Sequence, residues 1–313
     1  MDPAAPSRPG RALVIVNPNA GQDPPERLRR ALGGALAARR VAFDMVETRE
    51  PGHATELARA AVRDGYTAVA AAGGDGTLAE VATGLVGSRV PLAIVPRGTA
   101  NQVARNLGVP VDVEGAAEVI ATGRAVPVDL GRADDRVFAL AVGAGLDAVV
   151  MSATSRAMKE RWGFAAYIYA ALREAVRTPP AHFRVVADGE EIRIRALSVM
   201  VANVAELFAG ILPSVLPSLS LSPASDRALD SWRDGLLDVV VVAPAGVMGM
   251  ASVLWQSASG AFAGDKHLFH RRAREVTVEA DEPVPIQIDG DPGGTTPVRI
   301  RVVPEDLRVL VPA

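Results

Sequence analysis

The sequence predicts two domains: an α/β domain built on a parallel sheet, followed by a mostly antiparallel β-sandwich domain. Three observations lead to this prediction. Strand-like and helix-like segments alternate over residues 11–125, which is typical of a parallel sheet covered by helices. Residues 126–303 contain many short strand patterns and few helices, which is typical of antiparallel sheets. The 313 residues, 49% of them hydrophobic, suffice for two cores.

The elements of the first domain follow from short apolar runs and from helical periodicity. The first run stops at Asn17-Pro18, and the helix that begins at residue 101 ends before Gly108 and Pro110, which break helices. The predicted strands are residues 12–16, 41–48, 67–72 and 91–95. The predicted helices are residues 26–40, 54–63, 78–86, 101–107 and 115–122.

The second domain is predicted as a series of strands joined by short turns such as Asp188-Gly189. Its predicted strands are residues 126–130, 137–142, 183–187, 191–202, 236–242, 275–280, 284–288 and 298–303. Its predicted helices are residues 157–177 and 247–260. The Pro/Ser/Leu-rich residues 212–225 indicate a surface loop, and residues 1–10 a flexible tail.

Composition excludes several functions. The net charge of −3 argues against a protein that coats nucleic acid. The absence of cysteine excludes disulfides, thiolate metal sites and a cysteine nucleophile, and four histidines leave little room for a histidine-rich metal site. The uncharged run 239–259 breaks at Pro244 and Gly246, which favours strand, turn and helix over a membrane span. We expect a cytoplasmic protein, with peripheral contact at the inner membrane face as an option.

A glycine-rich turn follows the predicted strand 67–72. Residues 73–77 read Gly-Gly-Asp-Gly-Thr and precede a predicted helix. Glycines let a ligand approach the backbone closely, and N–H groups at a helix N-terminus attract phosphate oxygens. Because the whole chain has only two lysines, phosphate charge would be met by amides, arginine and a metal ion. The turn therefore predicts nucleotide binding.

Three side chains in this region have structural alternatives. Thr77 and Glu80 have the spacing of a helix capping box. We favour that role for Glu80, whereas Thr77 can cap the helix and bind phosphate together. Asp75 lies between two glycines, where it either forms a turn or helps to hold Mg²⁺ on phosphates, and we favour the second interpretation.

Two further turns follow predicted strands. Residues 96–102 read Pro-Arg-Gly-Thr-Ala-Asn-Gln, and residues 17–21 read Asn-Pro-Asn-Ala-Gly. In an open parallel sheet the carboxyl ends of the strands face one crevice, where ligands bind. The three turns therefore predict a single nucleotide site. Arg97 either supplies a cation there or is solvated.

Taken in order, these motifs resemble the diacylglycerol kinase catalytic family, which includes bacterial lipid kinases and the sphingosine and ceramide kinases. The matching motifs are Asn17-Pro18, Thr48 with Gly52-His53-Ala54, residues 73–77, 98–101, 129–131 (Asp-Leu-Gly), 138–147, 234–238 (Asp-Gly-Leu-Leu-Asp) and 289–291 (Asp-Gly-Asp). NAD kinases share Gly-Gly-Asp-Gly-Thr and phosphofructokinases have a close variant, but the later motifs favour the lipid kinases. The resemblance implies an NAD kinase/phosphofructokinase-like first domain.

The resemblance also implies residue roles, with ATP and Mg²⁺ as cofactors. The implied ATP-binding residues are Asn17, Thr48, Gly73, Gly74, Asp75, Gly76, Thr77, Glu80, Gly98, Thr99 and Asn101. Asp291 would activate the acceptor hydroxyl, and Asp75 would act with Mg²⁺ on the ATP phosphates. A structural Mg²⁺ would be held by Asp234 and backbone oxygens of Ser231 and Leu236. The last strand, residues 307–311, would return to the first domain, giving an ATP-binding domain of residues 11–125 plus 304–313 and a lipid-acceptor domain of residues 126–303.

The implied function is ATP-dependent transfer of the γ-phosphoryl group to a lipid hydroxyl, of diacylglycerol or of a sphingoid-like lipid. An NAD kinase-like enzyme with a soluble acceptor and a non-catalytic lipid- or nucleotide-binding protein are the alternatives. Asp291 stands where the family usually has Glu, and Gln102 where many relatives have Asp. A simple turn role is the alternative for both Asp291 and Asp234.

Overall fold

The computed structural model describes residues 10–21, 24–98, 101–153, 164–203, 232–243 and 268–313. The chain divides into two compact units. Unit 1 comprises Met1–Gly98, Gly108–Pro127 and Leu307–Ala313, and unit 2 comprises Thr99–Leu107 and Val128–Asp306. The chain therefore passes from one unit to the other four times.

Unit 1 is an α/β unit with a parallel sheet. Its strands are β1 (Arg11–Val16), β2 (Ala42–Glu47), β3 (Ala68–Gly73) and β4 (Leu92–Pro96). The helices up to residue 122 are α1 (Pro25–Ala38), α2 (His53–Arg63), α3 (Asp75–Leu85), α4 (Gln102–Asn106) and α5 (Val113–Thr122), of which α4 belongs to unit 2. The strands lie in the order β2-β1-β3-β4 and are all parallel.

The core of unit 1 explains this arrangement. All six residues of β3 are buried, as expected for a parallel strand covered on both faces. In α1 the buried residues Leu28, Leu32, Ala35 and Leu36 form one helical stripe. This stripe joins β1, β3 and β4 side chains in one apolar cluster.

Unit 2 is a β-sandwich. Its strands, including two that continue into unit 1, are β5 (Arg124–Ala133), β6 (Arg136–Phe138), β7 (Ala141–Gly145), β8 (Ala181–Ala187), β9 (Glu190–Ala196), β10 (Ser198–Ala202), β11 (Leu237–Val242), β12 (Leu268–Ala273), β13 (Glu275–Ala280), β14 (Pro285–Ile288), β15 (Asp291–Thr295) and β16 (Val298–Val311). Within the described ranges, its longer helices are α6 (Leu146–Ala153) and α7 (Phe164–Arg177). One sheet has the order β12-β11-β10-β7-β14-β15, and β16-β13-β8-β9 form the other layer.

Both layers of unit 2 are antiparallel and contribute to one core. Val142 and Val201 come from the first sheet, and Val185 and Val276 from the other layer, and all four belong to a single buried cluster. The predicted fold class, a parallel α/β domain followed by an antiparallel β-sandwich, is confirmed.

Three features differ from the predicted elements. The predicted strand 191–202 is two strands, because the chain leaves one layer after β9 and enters the other as β10, with Leu197 between them. The predicted strand 137–142 is also divided, into β6 and β7. Helix α6 and strands β12 and β15 were not predicted. No helix in the described part of the chain is both long and apolar enough to cross a membrane.

Some predictions fall on residues outside the described ranges. These are the helix at 247–260, the first seven residues of the helix at 157–177, the loop at 212–225 and nearly all of the tail at 1–10.

Candidate active site

The glycine-rich turn lies between β3 and α3 in unit 1. Helix α3 begins at Asp75, with Gly74 as its N-terminal cap residue. A methyl group added at Gly74 would lie 3.3 Å from the Cα of Gly98, so the glycine lets two backbone turns approach closely. Because the first N–H groups of any helix lack partners within the helix, this end of α3 can bind phosphate oxygens.

Asn17 connects the end of β1 to the start of α3. Its side-chain Nδ2 donates a hydrogen bond to Oγ1 of Thr77 at 2.9 Å. Its backbone N–H donates to the carbonyl of Ala72 at 3.0 Å. Thr77 is buried as the third residue of α3. The bond therefore fixes the threonine hydroxyl beside the helix N-terminus and joins two motifs that lie 60 residues apart.

The turns after β2 and β4 lie at the same edge of the sheet. The backbone N–H of Arg97 donates to the carbonyl of Gly73 at 2.8 Å, and the N–H of Thr48 donates to the carbonyl of Val16 at 2.9 Å. A methyl group added at Gly21 would lie 3.1 Å from the carbonyl oxygen of Arg97. The turns after β1, β2, β3 and β4 therefore form one continuous backbone surface within unit 1.

The structure gives Glu80 a role that its spacing did not suggest. Thr77 lies inside α3, two residues after its start at Asp75, so the capping-box interpretation is wrong. The carboxylate of Glu80 instead accepts the backbone N–H of Ala54 at 3.2 Å, in the first turn of α2. Asp75 is half-buried in the first turn of α3, where the helix dipole stabilises a carboxylate.

The second glycine motif extends into unit 2. Asn101 is the cap residue of α4, and Gln102 is buried. Thr99 lies outside the described residues, so its predicted contact with nucleotide stays a prediction.

The β14–β15 hairpin of unit 2 contains the predicted catalytic acid. Asp289 and Gly290 occupy its two turn positions with φ of +49° and +90°, the left-handed pair that Asp-Gly adopts in tight hairpins. The carboxylate of Asp289 accepts the backbone N–H groups of residues 139–141 at 2.7, 2.8 and 3.0 Å. Asp291 follows as the first residue of β15 and is exposed. Asp289 therefore anchors the turn, and the carboxylate of Asp291 is exposed to solvent beside it.

Two further side chains hold this turn, and the sequence assigned no role to either. Nε2 of Gln287 donates to Oδ2 of Asp147 at 2.6 Å, and Oε1 of Gln287 accepts the N–H of Gly290 at 2.6 Å. Burial raises the pKa of the Asp147 carboxyl group, and the hydrogen bond from Gln287 lowers it by a smaller amount. Asp147 lies in the matching segment 138–147, but its partner lies 140 residues later, beyond any local sequence signal.

Asp129 and Asn203 have structural roles. Asp129 is buried, and its carboxylate accepts the N–H groups of Gly235 at 2.7 Å and Glu305 at 2.8 Å. Nδ2 of Asn203 donates to the carbonyls of Asp129 and Ala139 at 2.9 and 3.2 Å. These bonds connect the loop before β11, strand β16 and the segment that anchors Asp289.

Asp234, the carboxylate of the predicted structural Mg²⁺ site, already has two partners. One oxygen accepts the N–H of Leu236 at 2.9 Å, and the other forms an ion pair with Arg272. A carboxylate beside backbone carbonyls is the donor type that Mg²⁺ prefers, so the residue types fit, but a metal would compete with the guanidinium. Ser231 lies outside the described residues, and those described contain no cluster of three or more acidic or histidine side chains suited to a metal.

The parallel α/β unit with its glycine-rich turns and the antiparallel sandwich that follows it are the two-domain fold typical of NAD kinases and lipid kinases. The chain belongs to the diacylglycerol kinase catalytic family. Residues 11–133 match the model of the diacylglycerol kinase catalytic domain. Residues 140–311 match the model of the YegS C-terminal NAD kinase beta sandwich-like domain.

Individual relatives agree with this assignment. A diacylglycerol kinase of Staphylococcus carnosus is 26% identical, over 96% of this chain and 95% of its own. A diacylglycerol kinase of Staphylococcus aureus strain MRSA252 is 28% identical, over 96% of this chain and 92% of its own. The crystal structure of a diacylglycerol kinase from Bacillus anthracis strain Sterne superposes with a TM-score of 0.72 at 25% identity, covering 96% of this chain and 97% of that one.

Proposed function

We propose that the protein is an ATP-dependent lipid kinase that transfers the γ-phosphoryl group to the hydroxyl of diacylglycerol or of a sphingoid-like lipid. Family membership supports a lipid kinase-like function in general. The observation that most supports the finer proposal is the anchored hairpin turn that leaves Asp291 exposed, because a transferase needs an acid placed firmly and within reach of substrate.

Unit 1 would bind ATP through the turns at its sheet edge. N–H groups at the start of α3 and the hydroxyl of Thr77 would contact phosphate oxygens, with Asn17 holding that hydroxyl. Gly73, Gly74 and Gly76 would keep the backbone accessible. Thr48, Glu80, Gly98, Thr99 and Asn101 complete the proposed ATP-binding set. Bound Mg²⁺ would neutralise charge on the phosphates, and the carboxylate of Asp75 would help to hold it.

Unit 2 would supply the residue that activates the acceptor. The lipid hydroxyl oxygen forms a bond to the γ-phosphorus while the bond from that phosphorus to the bridging oxygen of ADP breaks, and ADP leaves. The hydroxyl proton moves to the carboxylate of Asp291, which acts as the general base. Phosphoryl transfer depends mainly on position and charge, so the fixed hairpin turn matters as much as the acid itself.

The test is a transfer assay with radiolabelled γ-phosphate. The full chain is incubated with Mg-ATP and mixed micelles that contain diacylglycerol, sphingosine or ceramide, and a parallel reaction contains NAD. We expect label in the organic phase with at least one lipid and none on NAD. Transfer to NAD would favour the soluble-acceptor alternative. Tight ATP binding without transfer to any acceptor would favour the non-catalytic alternative, which the replacement of Glu by Asp at position 291 makes worth testing.

A further inference from the structure

Gln287 links the half-buried Asp147 to the β14–β15 hairpin turn. Its side chain is buried and has both polar atoms in use: Nε2 donates to Asp147 and Oε1 accepts from Gly290, each at 2.6 Å. The amide orientation follows from the partners, because the N–H of Gly290 is a donor and needs the carbonyl oxygen. Asp147 must therefore accept from the amide nitrogen, and the three groups form one directed chain that ends at the residue before Asp291.

Gly143 provides the space that the Asp147 side chain occupies. Asp147 lies in the first turn of α6, and its carboxylate rests on Gly143, where an added methyl group would collide with it. Gly143 pairs with Gln287 in the register of β7 and β14. Only glycine at position 143 leaves room for a carboxylate between the helix and Gln287.

The hairpin turn has an anchor that is independent of this arrangement. Asp289 already anchors the hairpin through three backbone N–H groups, and the Asp-Gly turn is favourable without further help. Burying a carboxylate is costly, and burial accordingly raises the pKa of Asp147. The hydrogen bond from the N–H of Gly290 to Gln287 holds the turn at a second position, directly before the proposed base Asp291.

We propose that Asp147 and Gln287 are positioning residues that fix the backbone of Gly290 and thereby the place of the Asp291 carboxylate. This inference rests on the proposed function, in which Asp291 receives the acceptor proton. Asp reaches one methylene less far than Glu, so the backbone must hold the carboxylate more precisely. A displacement of about 1 Å can reduce turnover on the order of 10²-fold.

The experiment compares Asp147→Ala, Asp147→Asn and Gln287→Met with the native protein. We expect Asp147→Ala and Gln287→Met to lower kcat on the order of 10²-fold with an unchanged KM for Mg-ATP. Asp147→Asn should restore most of the kcat, because its amide oxygen can still accept from Gln287. A matched control is Asp188→Ala: Asp188 and Gly189 form another left-handed hairpin turn, and the Asp188 carboxylate also accepts backbone N–H groups, of residues 274 and 275. That variant should lose stability without loss of kcat.

A second measurement separates this inference from the proposed function. Hydrogen exchange of the backbone amides of residues 289–291 should be faster in Asp147→Ala than in the native protein, whereas Asp188→Ala should leave it unchanged. If the native protein transfers phosphate and Asp147→Ala keeps full kcat, the positioning role is wrong. If the native protein phosphorylates no acceptor, the proposed function fails by itself, and unchanged exchange of the amides of residues 289–291 in Asp147→Ala would then overturn the positioning role independently.

Discussion

At the scale of single residues, Asp291 is the side chain on which the proposed chemistry depends most. Asp291→Asn keeps the shape of the side chain but cannot take up the hydroxyl proton. We expect kcat to fall by about 10²–10⁴-fold, the usual contribution of a general base. ATP affinity, measured by calorimetry with the full chain, should stay the same, because the proposed ATP-binding residues belong mainly to unit 1.

A matched control for that experiment is Asp281→Asn. Asp281 is also an exposed aspartate of unit 2, located directly after β13. The Asp281→Asn variant loses the same charge from the same unit as Asp291→Asn, so its kcat should equal that of the native protein. If Asp291→Asn retains native turnover, Asp291 is not the base.

Asp147 also predicts how stability depends on pH. Burial raises the pKa of its carboxyl group above the ordinary value of 3.8, so the folded protein binds this proton more tightly than the unfolded chain. Its contribution to the free energy of unfolding is therefore full below pH 3.8 and is lost as the pH rises through the raised pKa. The side chain in Asp147→Asn is neutral at every pH, so this variant has no such loss of stability as the pH rises. The variant should gain stability relative to the native protein as pH rises, and then level off.

Urea unfolding at a series of pH values above 3.8 measures this difference directly. The same series on Asp188→Asn serves as the control. A difference between Asp147→Asn and native protein that is constant with pH would show that the carboxyl group titrates alike in the folded and unfolded states.

At the scale of elements, the loop before β11 predicts competition between a metal and an arginine. Asp234 forms an ion pair with Arg272 of β12, and a guanidinium and Mg²⁺ at the same carboxylate would repel each other because both are cations. Arg272→Met removes the competitor and keeps much of the side-chain volume. We expect Mg²⁺ to raise the Tm of this variant more than the Tm of the native protein, and EDTA to reverse the increase. Binding at ten times Kd would add about 1.4 kcal/mol.

Calcium-free buffers and the double variant Asp234→Asn with Arg272→Met complete that experiment. Without the carboxylate, the stabilisation by Mg²⁺ should disappear. Equal effects of Mg²⁺ on all three proteins would mean that no metal binds at Asp234, Leu236 and Ser231.

The same scale shows which parts of the fold could be read from the sequence. The turn at residues 73–77 was predictable because its signals, a buried run, three glycines and a following helix, are all local. Strand β15 was not predictable, because its sequence Asp-Pro-Gly-Gly-Thr has low strand propensity. It is a strand because it pairs with β14. The break at Leu197 was also hidden, since a continuous strand-like run does not reveal a change of sheet. Asp147 had no predictable role because its partner is remote in sequence.

At the scale of the whole molecule, the last strand completes a unit that began some 300 residues earlier. The end of β16 lies parallel to β4, with Val309 beside Leu92. Leu307, Val309, Leu310 and Val311 are buried, whereas Arg308 between them is exposed. Leu310 belongs to the same apolar cluster as the side chains of β1 and α1. Unit 1 therefore depends on residues that follow the entire sandwich in sequence.

Deletion of residues 307–313 tests that dependence. Each of the four buried side chains contributes about 1.5–3 kcal/mol when removed from water, and their sum is comparable to the 5–15 kcal/mol that stabilises a typical domain. We expect the truncated chain to lose cooperative unfolding of unit 1 and ATP binding together, as followed by calorimetry. Arg308→Ala, which changes an exposed side chain in the same strand, should unfold like the native protein. ATP binding by a truncated chain with native Tm would show that β4 can be the edge strand of a stable sheet without β16, and that the returning strand has no part in forming the proposed ATP-binding edge.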